Sequence, residues 1–95
     1  MQMLEKTIYA NTDMWVCTAE AERVLLAHTQ KLLRNHKMDK AVFNVSIVVK
    51  REFRDDPGIS VMCITRAGTP IDASLITKMR AKFQKKYPDI DFNIY

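Results

Sequence analysis

The sequence predicts an α+β fold in which two amphipathic helices interrupt a set of short alternating strands. Three observations predict it. Apolar residues recur at helical spacing after Thr18 and again after Thr69. Between those segments, residues 41–54 alternate apolar and polar, and the strongest turn signal in the chain follows at once. The tail at 90–94 alternates again.

The first strand is read over Leu4–Ala10. It ends at the turn cluster Asn11-Thr12-Asp13, where Asn and Asp bond back to their own backbone. Met14–Cys17 admits two readings, a second short strand that completes a hairpin or the loop into the first helix. Thr18 has the chemistry of an N-cap, and Glu20 and Glu22 follow in the first turn, where the helix dipole favours carboxylates. This helix is expected to run to about Lys37. Ala21, Val24, Leu25, His28 and Leu32 share one side, widened by Leu26 and Leu33; Arg23, Gln30, Arg34 and Lys37 share the other.

The long strand 41–54 is expected to bury Phe43, Val45, Ile47, Val49 and Phe53, and to wet Asn44, Ser46, Lys50, Glu52 and Arg54. Asp55-Asp56-Pro57-Gly58 reads as a turn in which Pro presets φ and Gly accepts a positive φ. Ile59–Arg66 returns as the second arm of a hairpin, and Gly68 breaks it. Thr69-Pro70-Ile71-Asp72 then reads as a capping box, with Thr69 at the N-cap, Pro70 at N1 and Asp72 at N3. Leu75, Ile76, Met79, Phe83 and Tyr87 make the apolar stripe of the second helix, and Pro88 stops it. Ile90–Ile94 is the last strand, with Ile90, Phe92 and Ile94 on one face.

The order β-α-β-β-α-β points to a ferredoxin-like plait, with both helices on one face of a mainly antiparallel sheet and each β-α-β unit crossing right-handed. If residues 4–17 form a hairpin instead, the result is a close variant with five strands in a different order.

Composition bounds what such a chain does. Ninety-five residues, 47% hydrophobic and 27% charged, suit one globular domain over residues 1–95. Two glycines and three prolines leave no low-complexity linker. Cys17 and Cys63 are too few and too far apart for a disulfide framework, so a reducing, cytoplasmic setting is expected. Glu5 and Lys6 interrupt the stretch where a secretory segment is apolar, and no apolar run is long enough to span a membrane. Asn44-Val45-Ser46 matches a glycosylation pattern but falls inside a strand, and nothing is built on it.

Catalytic chemistry finds little to work with. Cys17 precedes a helix N-terminus, where the dipole lowers a thiol's pKa, but His28 and His36 lie well along the helix. His28 is better read as a hydrogen-bonded boundary residue than as a ligand. No zinc spacing exists, and two glycines ten residues apart make no phosphate loop, so neither a metal nor a cofactor is expected. Asp55-Asp56 shapes a turn. An enzyme is therefore the weaker expectation.

The basic residues are the stronger signal. Fifteen Lys and Arg against eleven Asp and Glu give a net charge of +4. Lys78, Arg80, Lys82, Lys85 and Lys86 fill the second half of the last helix without an acid, and Lys31, Arg34, Lys37 and Lys40 end the first. The dipole alone favours cations near both helix ends, which is a purely structural reason for these clusters. Docked side by side, the two helices merge them into one positive surface for nucleic acid or another polyanion, with Arg34, Lys37, Lys78, Lys82 and Lys85 as contacts. The returning strand lacks the aromatics on which RNA-binding plaits stack bases, and Trp15 and Tyr9 are the large aromatics near the amino end.

The alternative is a protein-binding or inhibitor module, working as a homo-oligomer through the wetter sheet face or the hairpin edge. Val48, Met62 and Ile64 make that face more apolar than solvent exposure requires. The competing expectation is that the amino-terminal segment covers it.

Overall fold

The computed structural model describes residues 1–95. Its elements, in chain order, are β1 (Leu4–Tyr9), β2 (Thr12–Cys17), α1 (Ala19–Asn35), β3 (Val42–Lys50), β4 (Gly58–Thr65), α2 (Ala73–Lys86) and β5 (Asp91–Ile94). The fold is thus α+β with two helices and two sheets, β1-β2 and β3-β4-β5.

Residues 4–17 form the hairpin. Leu4 pairs with Cys17 and Tyr9 with Thr12, so the turn is Ala10-Asn11 rather than the expected Asn11-Thr12-Asp13. Both turn residues have positive φ (50° and 64°), the combination that matches the right-handed strand twist in a two-residue connection. Beyond Leu4 the whole of β1 is exposed, while the base of the hairpin is anchored: Met3 and Leu4 are buried, and Trp15 and Cys17 lean on the core. The Trp15 N–H donates to the Glu52 carbonyl at 2.8 Å and ties β2 to the end of the neighbouring hairpin.

The strand pairing is not that of the expected plait. In a plait the crossover from β4 skips a place and the first strand fills it. Here β5 pairs directly with β4, parallel, from Gly58↔Asp91 to Val61↔Ile94. No slot remains between them for an amino-terminal strand. β3 pairs antiparallel with β4 on the other side.

One sheet face carries Val45, Ile47 and Val49 opposite Cys63, Val61 and Ile59, with Phe92 and Ile94 beyond them. Both helices pack on this face. Ala21, Leu25, Thr29, Leu32 and Leu33 are buried from α1, and Leu75, Met79 and Phe83 from α2. The Phe83 and Phe92 rings stand 5.5 Å apart at 40° and join α2 to β5. Thr29 escapes a hydrophobic pattern because it is polar; it is buried by donating its hydroxyl to the Leu25 carbonyl at 2.7 Å.

Local signals hold at some element ends and fail at others. Thr18 caps α1, its hydroxyl oxygen accepting from the Ala21 N–H at 3.1 Å. α1 ends at Asn35, short of the expected Lys37, because Lys37 turns left-handed (φ 58°). The Lys37 N–H then bonds the Arg34 carbonyl and the Met38 N–H the Leu33 carbonyl, the paired bonds of a Schellman ending. At α2 the cap is Asp72 and not Thr69: its carboxylate accepts from the Ser74 N–H at 3.0 Å. Ile71 before the cap and Ile76 four residues into the helix both lean on the core, which fixes the start there.

β3 is interrupted by a bulge between Val42 and Asn44. It reverses the expected alternation at that end, so Val42 is buried and Phe43 is 61% exposed. β3 stops at Lys50 because Arg51 is left-handed (φ 55°), which also puts Phe53 out in solvent. Gly58 does not sit at the expected turn with a positive φ. It opens β4 opposite Lys50, and a Cβ there would meet the Lys50 side chain at 2.5 Å and the Asp91 carbonyl at 2.7 Å. The glycine is needed for close approach, not for turning.

Candidate functional site

The helices dock antiparallel across a seam that pairs unlike partners. Lys86 Nζ donates to His28 Nε2 at 2.8 Å, and eight residues away on each helix Lys78 Nζ faces His36 Nε2 at 3.4 Å. The two histidines thus stand about 12 Å apart along α1. The ammonium can donate only to a neutral imidazole nitrogen, so each ring presents a lone pair to the seam. For His36 the tautomer follows from the other side of the ring, where Nδ1–H donates to the Leu32 carbonyl at 3.0 Å.

Around the first of these pairs the seam opens into a groove of about 520 Å³. His28, Lys31 and Asn35 line it from α1, and Lys82, Lys85 and Lys86 from α2, over a floor of Leu32 and Phe83. No carboxylate enters it. Of the fifteen Lys and Arg residues, Lys50 and Arg51 alone lie within ion-pair distance of a carboxylate. Partial burial, followed by the charges of Lys86, Lys31 and Lys82, holds the His28 pKa below its ordinary value.

The expected polyanion contacts separate on this geometry. Lys82 and Lys85 line the groove. Lys78 lies beyond it, next to His36, and makes no ion pair with Asp72, whose carboxyl is held below its usual range chiefly by the Ser74 N–H and hydroxyl. Arg34 lines a separate hollow with Asp39 on the far flank of α1, and Lys37 is exposed in the left-handed ending. The groove instead brings in Lys31, Lys86 and His28. Lys31 and Lys86 belong to clusters visible in the sequence; His28 meets Lys86 across 58 positions, which no local pattern reports.

The sheet face away from the helices carries Val48, Met62 and Ile64, as their register with Ser60, Ser46 and Asn44 requires. Val48 is 44% exposed, while Met62 and Ile64 are half-buried. The amino-terminal hairpin packs beside β3 and leaves Val48 open to solvent.

Cys17 is not an activated nucleophile. Burial, and then the Glu22 carboxylate, push its thiol up to about 11, so the surroundings reverse the effect of the nearby helix start. Burial also raises Cys63. No three His, Cys, Asp or Glu side chains converge, and no helix is long and apolar enough to cross a membrane. Comparison with protein-family models, with curated proteins and with solved structures finds no match to this chain.

Proposed function

We propose that this protein is a small binding protein that engages nucleic acid, or another polyanion of similar charge spacing, through the groove between its two helices. The observation that carries the reading is four ammonium groups, Lys31, Lys82, Lys85 and Lys86, lining one groove with no carboxylate among them. Like charges crowded without a counter-charge raise the local potential and favour an incoming anion.

A second reading is docking of a protein, or of a second copy of this chain, on the open sheet face. The exposure of Val48 beside the half-buried Met62 and Ile64 supports it.

Fluorescence anisotropy with labelled single- and double-stranded oligonucleotides, at low and at physiological salt, separates the two. The groove reading expects binding that weakens steeply with salt and that collapses when Lys82 and Lys85 are both changed to Glu. Met62→Lys and Ile64→Lys leave that binding intact. Absence of binding at low salt refutes the groove reading and transfers the function to the sheet face.

A further inference from the structure

The groove is not lined by cations alone, and its histidine is the unusual member. His28 Nε2 accepts a hydrogen bond from Lys86 Nζ at 2.8 Å, so in the free protein the ring is held neutral by a lysine and not by an acid. Every charged group lining the groove around His28, on its own helix and on α2, is a cation: Lys31 from α1 and Lys82, Lys85 and Lys86 from α2. Protonating the ring there would set two donors against each other at hydrogen-bond distance among like charges. An anion entering the groove removes that obstacle, because it accepts from both.

We propose that the groove takes up one proton when it takes up a phosphodiester: a proton from solvent adds to His28 Nε2, the bond from Lys86 breaks, and the imidazolium N–H and the Lys86 ammonium both donate to phosphate oxygens. This rests on the groove reading above and adds a regulation to it, since affinity then rises as pH falls. The depressed basicity of His28 agrees with the free state, in which burial and the surrounding lysines disfavour the charged ring. The negative charge of a bound phosphate, accepting from the ring N–H, favours the charged form, so the ring titrates at higher pH in the complex. By linkage the affinity climbs between those two pKa values and is flat outside them. The His36–Lys78 pair lacks the same property. It lies outside the groove at a longer 3.4 Å, away from Lys31, Lys82 and Lys85, whose unpaired charges surround His28.

The test is oligonucleotide anisotropy from about pH 5.5 to about pH 8, the range in which a histidine titrates, at constant ionic strength. The labelled strand lacks terminal phosphates, so its own charge does not titrate. The wild type should tighten as pH falls, by about tenfold for each unit that the His28 pKa rises on binding. His28→Gln should bind with a flat profile, and His36→Gln should keep the wild-type slope. A proton NMR titration of the His28 ring in the unaltered protein, with and without the oligonucleotide, reads the same event without a variant; the ring's midpoint should move up in the complex. Binding that ignores pH, or a His28 midpoint that does not move, overturns proton uptake while leaving the groove reading standing. No binding at any pH in low salt overturns both.

Discussion

At the end of the sheet, Lys50 and Arg51 converge on Asp91 at 2.9 and 3.1 Å, and Arg51 also reaches Asp56 at 3.5 Å. Across the helix seam, Lys31, Lys82, Lys85 and Lys86 converge on one another and on His28. The two clusters use the same residue types for different ends. In the first, each charge has its partner, and Lys50 and Arg51, donating to Asp91, hold its carboxyl below the usual range. The network staples the β3-β4 connection to the start of β5. In the second, every charge is left open, and the only acceptor among the polar lining groups that a lysine has found is an imidazole nitrogen. A cation that is already neutralised by its own chain belongs to the fold; a cluster that is not is available to a ligand.

The largest effect expected comes from removing the floor that both helices share. Phe83 lies under the groove, 1% exposed and against Phe92. Phe83→Ala should cost about 3–5 kcal/mol by thermal or denaturant unfolding, because it empties the packing between α2 and β5. A loss under about 1 kcal/mol would mean that the helix pair is not held as described.

Next in size is the double change Lys82→Glu and Lys85→Glu. Stability should hold, since neither residue is paired, while oligonucleotide affinity should fall roughly tenfold or more. The slope of log affinity against log salt should flatten by about 0.7–0.9 for each phosphate that the groove no longer neutralises. If the melting temperature collapses instead, the groove is structural and the contrast with the sheet end disappears.

The smallest effect should be at Asp91. Its side chain is 60% exposed, so Asp91→Asn should cost only about 0.5 kcal/mol and leave binding unchanged. Its folded pKa is depressed, so its contribution is fully present above the usual carboxylate range of about 3.9 and is lost as pH falls through the folded value. The wild-type and Asp91→Asn unfolding curves should therefore converge in acid below about pH 4.

Much of this arrangement was legible in the residues. The alternation of Val45, Ile47 and Val49 and of Phe92 and Ile94 marked the core face of the sheet correctly, and Thr18 capped the helix it was expected to cap. Local patterns failed where the backbone departs from a regular period. The bulge beside Phe43 adds one residue to β3 and exchanges the faces of Phe43 and Val42. The Ala10-Asn11 turn carries two positive φ values without a glycine to announce them. The Thr69-Pro70 signal lost to Asp72 because Ile71 and Ile76 both gain burial when the helix starts later. The strand order was out of reach for another reason: whether β5 or an amino-terminal strand takes the place beside β4 depends on long-range packing, not on any segment. The groove lies between these cases. Its lysines stand out in the sequence, but their meeting with His28 is a property of two docked helices.

The most direct test of polyanion binding in the helix groove is backbone NMR shift mapping of the protein titrated with a short single-stranded oligonucleotide at low salt. The largest shifts should fall on His28, Lys31, Lys82, Lys85 and Lys86 and disappear as salt is raised. Shifts centred on Val48, Met62 and Ile64, or no shifts at all, would contradict it.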